Sequence, residues 1–150
     1  MKLSPEEKSI MDKMQAGILS TDGFLGNDQR HLHEIIEEDA EKLLHFNYSL
    51  EQIAERMRYF TEMSREAYDL PVVIEGKYAV QQDIWRGRVI CPYNHKGSYV
   101  KADIRLKNLE NQIEVRWTPL NIHFIEVHGF FEGIGSKYRL NPETLIKAIF

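Results

Sequence analysis

The hydrophobic period of this chain changes at Pro71, and that change decides what it can fold into. Before Pro71 the apolar residues recur at helical spacing; after it they alternate with polar ones. A helical pattern cannot present one face as a strand, and an alternating pattern cannot present one face as a helix. Residues 1–70 therefore read as a helical part, residues 71–120 as an antiparallel sheet of about five strands, and residues 121–150 as short C-terminal helices with a glycine loop. Helices followed by a meander make an α+β domain. A length of 150 residues fits one domain and buries roughly 70% of the unfolded surface, so the fold needs no disulfide or metal.

The helical part has clear punctuation. Ser4 and Pro5 open a first helix that Gly17 should close. After a loop with three glycines (residues 17–27), Asn27 or Asp28 should cap a second helix running to about Phe46, with Leu32, Ile35, Ile36, Ala40, Leu43 and Leu44 on one face. Ser49 and Gln52 form a capping box for a third helix, which buries Ile53, Ala54, Met57 and Phe60 and stops before Pro71.

In the sheet, Val72–Glu75 and Tyr78–Gln82 read as a hairpin across Gly76-Lys77. Strands over residues 84–91, 98–107 and 112–118 follow. Val100, Ala102, Ile104 and Leu106 should face the core, and Lys101, Asp103, Arg105 and Lys107 the solvent. Asn121 is expected to cap a short helix ended by Gly129, and Asn141-Pro142-Glu143 to start the last one.

Charge and cysteine content exclude several classes. Residues 1–70 carry 8 Lys and Arg against 15 Asp and Glu, a net of −7, whereas residues 71–150 carry 11 against 8, a net of +3. A dedicated nucleic-acid domain has a basic excess, so nucleic acid is not expected as the partner. One cysteine excludes an internal disulfide framework and suits a reducing, cytoplasmic setting. No apolar run approaches the ~20 residues of a membrane span, and the start lacks the apolar stretch of a signal peptide.

One candidate site is Cys91, His95, His123 and His128. Thiolate and imidazole are the ligands zinc prefers, and four of them converging would hold an ion. Cys91 ends a strand and His95 lies in the next turn, so both reach one point. On a regular α-helix, however, five residues rotate His128 by about 140° from His123. The same residues allow Cys91 to act as a nucleophile activated by histidine. Its expected place on the core face beside Val89 makes it an inert thiol instead.

The loop from His128 to Arg139 holds three glycines, and its Ser136, Lys137 and Arg139 are candidates for binding an anion together with backbone N–H groups. A second glycine loop, residues 22–27, reads as turn and cap rather than as an anion site, because Asp22 and Asp28 would repel the ligand. The acidic helix offers His33 with Glu37 and Arg30 with Glu34 at helical spacing, the usual pattern of a solvated face.

Tyr48–Met57 resembles the first helix of a helix-turn-helix motif, which would imply DNA reading, but the helical pattern then continues with no turn. Arg86, Arg88, Lys101, Arg105, Lys107 and Arg116 share the polar sheet face, with Tyr99 as the one aromatic there. Such a face lacks the stacking residues of an RNA binder and suits the acidic half of a second copy.

The expected function is binding of a small anionic ligand, with a metal such as zinc, near Cys91, His123, His128 and Arg139. One alternative is a non-catalytic interaction or regulatory protein acting as a homo-oligomer or through partner contacts. Another is a metal-dependent, hydrolase-like enzyme whose catalytic residues the sequence does not name.

Overall fold

A computed structural model describes residues 3–67 and 70–150. The chain is α+β, with the order α1 (Pro5–Lys13), α2 (Leu32–Leu43), α3 (Leu50–Ser64), β1 (Val72–Ile74), β2 (Tyr78–Val89), β3 (Tyr99–Asn108), β4 (Glu114–Trp117), α4 (Pro119–His123) and α5 (Pro142–Ile149). A π-helical segment, Phe124–His128, continues α4. The four strands form one antiparallel sheet in sequence order.

The strand count falls from about five to four for a local reason. The expected strands over 78–82 and 84–91 are one twelve-residue strand, β2. Its pairing with β3 skips from Ile84↔Ala102 to Arg88↔Val100, so Trp85, Arg86 and Gly87 bulge opposite Lys101. Gly87 takes a left-handed φ of 96°, which a bulge of this kind asks of its backbone.

α3 lies across the sheet. Its capping box at Ser49 and Gln52 is formed as the sequence implies, with Ser49 Oγ accepting from Gln52 N at 3.1 Å. Ile53, Ala54, Met57 and Phe60 are buried against Val80, Ala102, Ile104, Leu106 and Trp117. This buried face, on a helix running without a break to Ser64, leaves no recognition helix to follow the helix-turn-helix resemblance. Polar groups join across that layer: Gln82 Nε2 donates to Thr61 O at 2.8 Å, and Trp117 Nε1 to Thr61 Oγ1 at 3.0 Å.

A second apolar cluster sits beside the first. Ile10 and Met14 from the α1 end, Phe24, Leu25, Leu32, Ile35, Cys91, Leu120, Phe124 and Phe130 make it up. The α4–π helix separates the two clusters, giving Phe124 to one and Ile125 to the other.

α2 starts later than expected, with His31 rather than Asn27 or Asp28 at its N-cap position. Asp28 is committed elsewhere. Its carboxylate accepts from Arg30 N at 3.1 Å and Ile134 N at 3.0 Å and pairs with the Arg30 guanidinium. That guanidinium holds the Asp28 carboxyl down to about 2. Short helix α4 is capped by Thr118, not Asn121, because Pro119 fixes the first helical residue and Thr118 Oγ1 accepts from Asn121 N at 3.2 Å.

The two glycine loops interlock. Gly133 N donates to Phe24 O at 2.9 Å and Asn27 N to Ile134 O at 3.2 Å. A Cβ on Gly133 would lie 2.3 Å from Leu25 O, and one on Gly26 2.3 Å from Ser136 N. Gly133→Ala is therefore expected to destabilise the fold by about 1–3 kcal/mol, read as a lower urea midpoint at unchanged m-value.

Candidate functional site

The extra width of the π segment brings the candidate ligands together. In an α-helix, His128 would sit well round the axis from His123; in the π segment a residue lies one turn above the residue five before it. Gly129 N–H donates to Phe124 O across five residues, and Gly129 closes the segment at φ 62°. The imidazoles of His123 and His128 end with centroids 5.1 Å apart.

The opposing side comes from the turn after β2. Asn94 N donates to Cys91 O at 3.2 Å, and Asn94 takes a left-handed φ of 64° that swings His95 back over the turn. The His95 ring lies 5.3 Å from that of His123 and 4.7 Å from that of His128. Cys91 Sγ is 3.7 Å from His128 Nε2 and accepts a hydrogen bond from Tyr93 N at 3.4 Å. One ligand atom from each of Cys91, His95, His123 and His128 lies within 4.8 Å of all the others. Two ligands on one tetrahedral zinc, at its usual Zn–S and Zn–N lengths, are about 3.6 Å apart. The sulfur and His128 already meet that spacing.

The electrostatics prepare the imidazoles as ligands. Burial, then the neighbouring His123 and His95, push His128 down to about 4. Burial and His95 also hold His123 below its ordinary value. Both rings are thus neutral near pH 7, the form that ligates metals. Burial pushes the Cys91 thiol up, against the hydrogen bond from Tyr93. A thiol so placed is not an activated nucleophile by itself; a bound dication reverses that balance. His123 Nε2 is shielded from solvent and has no hydrogen-bond partner among the described residues.

Two aromatic walls line the cluster: Tyr93, which the sequence did not single out, and Tyr99, expected on the polar sheet face and found against His123. Tyr93 stacks on His128 at 3.7 Å and 9°, and Tyr99 lies 4.9 Å from His123. Tyr93 follows Cys91 by two residues, but the stacking depends on the π turn, which no local signal announces.

The anion candidates lie in the interlocked loop and are bonded to acids. Ser136 Oγ donates to Glu132, Lys137 Nζ is 3.9 Å from Asp22 Oδ2, and Arg139 donates to Asp39 Oδ1 at 2.8 Å. Arg139 is engaged by Asp39 and the Glu132 carbonyl, and among the described residues no hydrogen bond or ion pair joins these three side chains to the four-residue cluster. On the acidic helix, His33 pairs with Glu7 rather than Glu37, and Arg30 with Asp28 and Glu38 rather than Glu34. Of the basic sheet face, Arg105 is paired with Asp83 at 2.6 Å and Arg88 holds Ser98.

The chain matches no protein-family model, no curated protein and no solved structure. Among the described residues no helix is long and apolar enough to cross a membrane.

Two of these contacts carry stability. Asp39 is 1% exposed, so Arg139→Ala leaves a buried carboxylate with only Lys42, 3.5 Å away, to compensate it; a loss of about 3 kcal/mol, the low end for a broken buried pair, is expected in urea unfolding. Glu132 is 2% exposed, and burial pushes its carboxyl up to about 7 from 4.5, against hydrogen bonds from Ser136 and Asn121 and the Arg139 charge. The folded state then holds that proton where the unfolded state has released it. Stability should fall as pH rises from 4.5 to about 7. Glu132→Gln should flatten that slope and raise stability above it by about 2–3 kcal/mol, measured by denaturation across the window.

Proposed function

We propose that this protein binds a zinc ion through Cys91, His95, His123 and His128, and that the ion fastens the turn after β2 to the α4–π helix. The observation that carries this reading is the convergence of the four ligand atoms within 4.8 Å, with the buried His123 Nε2 otherwise unsatisfied. Donor chemistry selects the metal. A soft thiolate with three imidazoles suits a tetrahedral zinc and not the hard, oxygen-seeking Mg²⁺ or Ca²⁺. Four protein ligands fill the coordination shell, which is the pattern of a structural or regulatory site. A catalytic zinc keeps one position open.

One observation favours a second reading. His95 is the exposed member of the set, carried on a turn, whereas Cys91 is buried and the other two are half-buried. Release of His95 would leave a three-ligand zinc with an open position for water or a small anion, the arrangement of metal-assisted hydrolysis. His95→Ala separates the two. Retained metal with a new water-derived ligand supports the open form, and lost metal supports the closed one.

The decisive experiment is elemental analysis of freshly purified, tag-free protein beside Cys91→Ala and His128→Ala. Near-stoichiometric zinc that falls in both variants is expected. Free zinc at 100 times its dissociation constant adds about 2.7 kcal/mol, so chelation should lower Tm by roughly 5–10 °C. Protein that takes up no zinc and has the same Tm with and without chelator would overturn the proposal.

A further inference from the structure

We infer that Glu7, His31 and His33 form a second, open site for a divalent transition metal where α1 meets α2. His31 holds the N-cap position of α2 and His33 lies in its first turn, while Glu7 reaches them from α1. His33 Nδ1 is 2.9 Å from both carboxylate oxygens of Glu7, and His33 N donates to Glu7 Oε2 at 3.4 Å. The His31 and His33 rings are 5.6 Å apart at 64°. One ligand atom from each of the three residues lies within 4.8 Å of the other two.

A plain Glu7–His33 pair accounts for two of these residues, and the third stands at the N-cap of α2, where His31 N donates to Glu34 Oε1 at 3.2 Å in a capping-box arrangement and the ring lies 3.7 Å from the same oxygen. Capping leaves one ring atom over: His31 Nδ1 is shielded from solvent and makes no hydrogen bond. Buried ring nitrogens are rarely left without a partner, and a metal supplies one. The positive end of the α2 dipole opposes a cation here. Glu34 in the first turn and the Glu7 carboxylate offset it, and Arg30, the guanidinium close by in sequence, is held by Asp28 and Glu38.

The donor set fixes the ligand class. Two imidazoles and one carboxylate suit Mn²⁺, Fe²⁺, Co²⁺ or Zn²⁺ and leave coordination positions for water or a small oxyanion. With no thiolate, this site differs spectroscopically from the Cys91 cluster and shares no residue with it.

The test is a titration of tag-free protein with Co²⁺, followed by optical absorption and equilibrium dialysis. Two bound ions are expected, of which one gives a thiolate-to-metal charge-transfer band. Cys91→Ser should remove that band and leave the other ion. His31→Ala, which loses no ring hydrogen bond, should keep the band and weaken the other ion by more than the ~10–100-fold that loss of an outer-shell partner costs. Glu7→Gln, which retains an oxygen to accept from His33, should weaken it likewise. A single bound ion that carries the band, or a second ion indifferent to both substitutions, overturns the inference. A missing band with a second ion that still responds to His31→Ala sinks the zinc proposal and leaves this one standing.

Discussion

Everything at the candidate site depends on one π turn. Residues 119–128 are pinned at both ends, by Thr118 and Pro119 at the start and by left-handed Gly129 at the finish. Between those pins Phe124 must enter one apolar cluster and Ile125 the other, while Phe130 and Phe131 divide the same way just beyond. The widened turn accommodates those demands and sets His128 above His123. A π turn has poorer hydrogen-bond geometry than an α-helix, and it persists where surrounding packing over-determines it. Four buried aromatic and aliphatic side chains from two clusters supply that packing here. The imidazole pair is thus a consequence of how two cores share one short helix.

The acidic half of the chain gives much of its charge to contacts that hold loops together. Asp28 reaches across to the loop from His128 to Arg139 through Ile134 N, Asp39 binds Arg139 of that loop, and Asp22 lies near Lys137. Part of the attraction between the −7 and +3 parts is therefore met within one chain, through Asp39 with Arg139 and Asp22 with Lys137. The same carboxylates fill the places that an external anion would take. The glycines serve close approach of two backbones, since any side chain at Gly26 or Gly133 would overlap the opposing chain.

What the sequence made legible was local. The period change at Pro71, the caps at Ser4 and Ser49, and the alternation of Ala102, Ile104 and Leu106 each express a backbone preference or a buried face within one element. The residue types of the Cys91, His95, His123 and His128 cluster were legible for the same reason, since ligand chemistry is a property of side chains. Their geometry was not. The π turn, the bulge at Trp85–Gly87 and the pairing of His33 with Glu7, 26 residues earlier, come from contacts distant in sequence, and no periodicity encodes those. Asp28 illustrates the competition well. It has the right residue type for an N-cap, but the guanidinium of Arg30 and the N–H of Ile134 outbid the helix for its oxygens.

The four-residue cluster holds an imbalance that a cation would relieve. Burial raises the Cys91 thiol and, with mutual repulsion, lowers His123 and His128, so the ground state is a neutral thiol facing neutral imidazoles. A thiol offers one weak donor to several ring nitrogens, and His123 Nε2 is left without any partner. A buried polar atom of this kind costs about 1–3 kcal/mol. A dication held there by Cys91, His95, His123 and His128 would favour the thiolate and take up the lone pairs of neutral rings, that of His123 Nε2 included. Tyr93, stacked on His128, and Tyr99, beside His123, would wall such a site. The features that weaken the site as a hydrogen-bonded cluster are the ones that suit it to hold a metal.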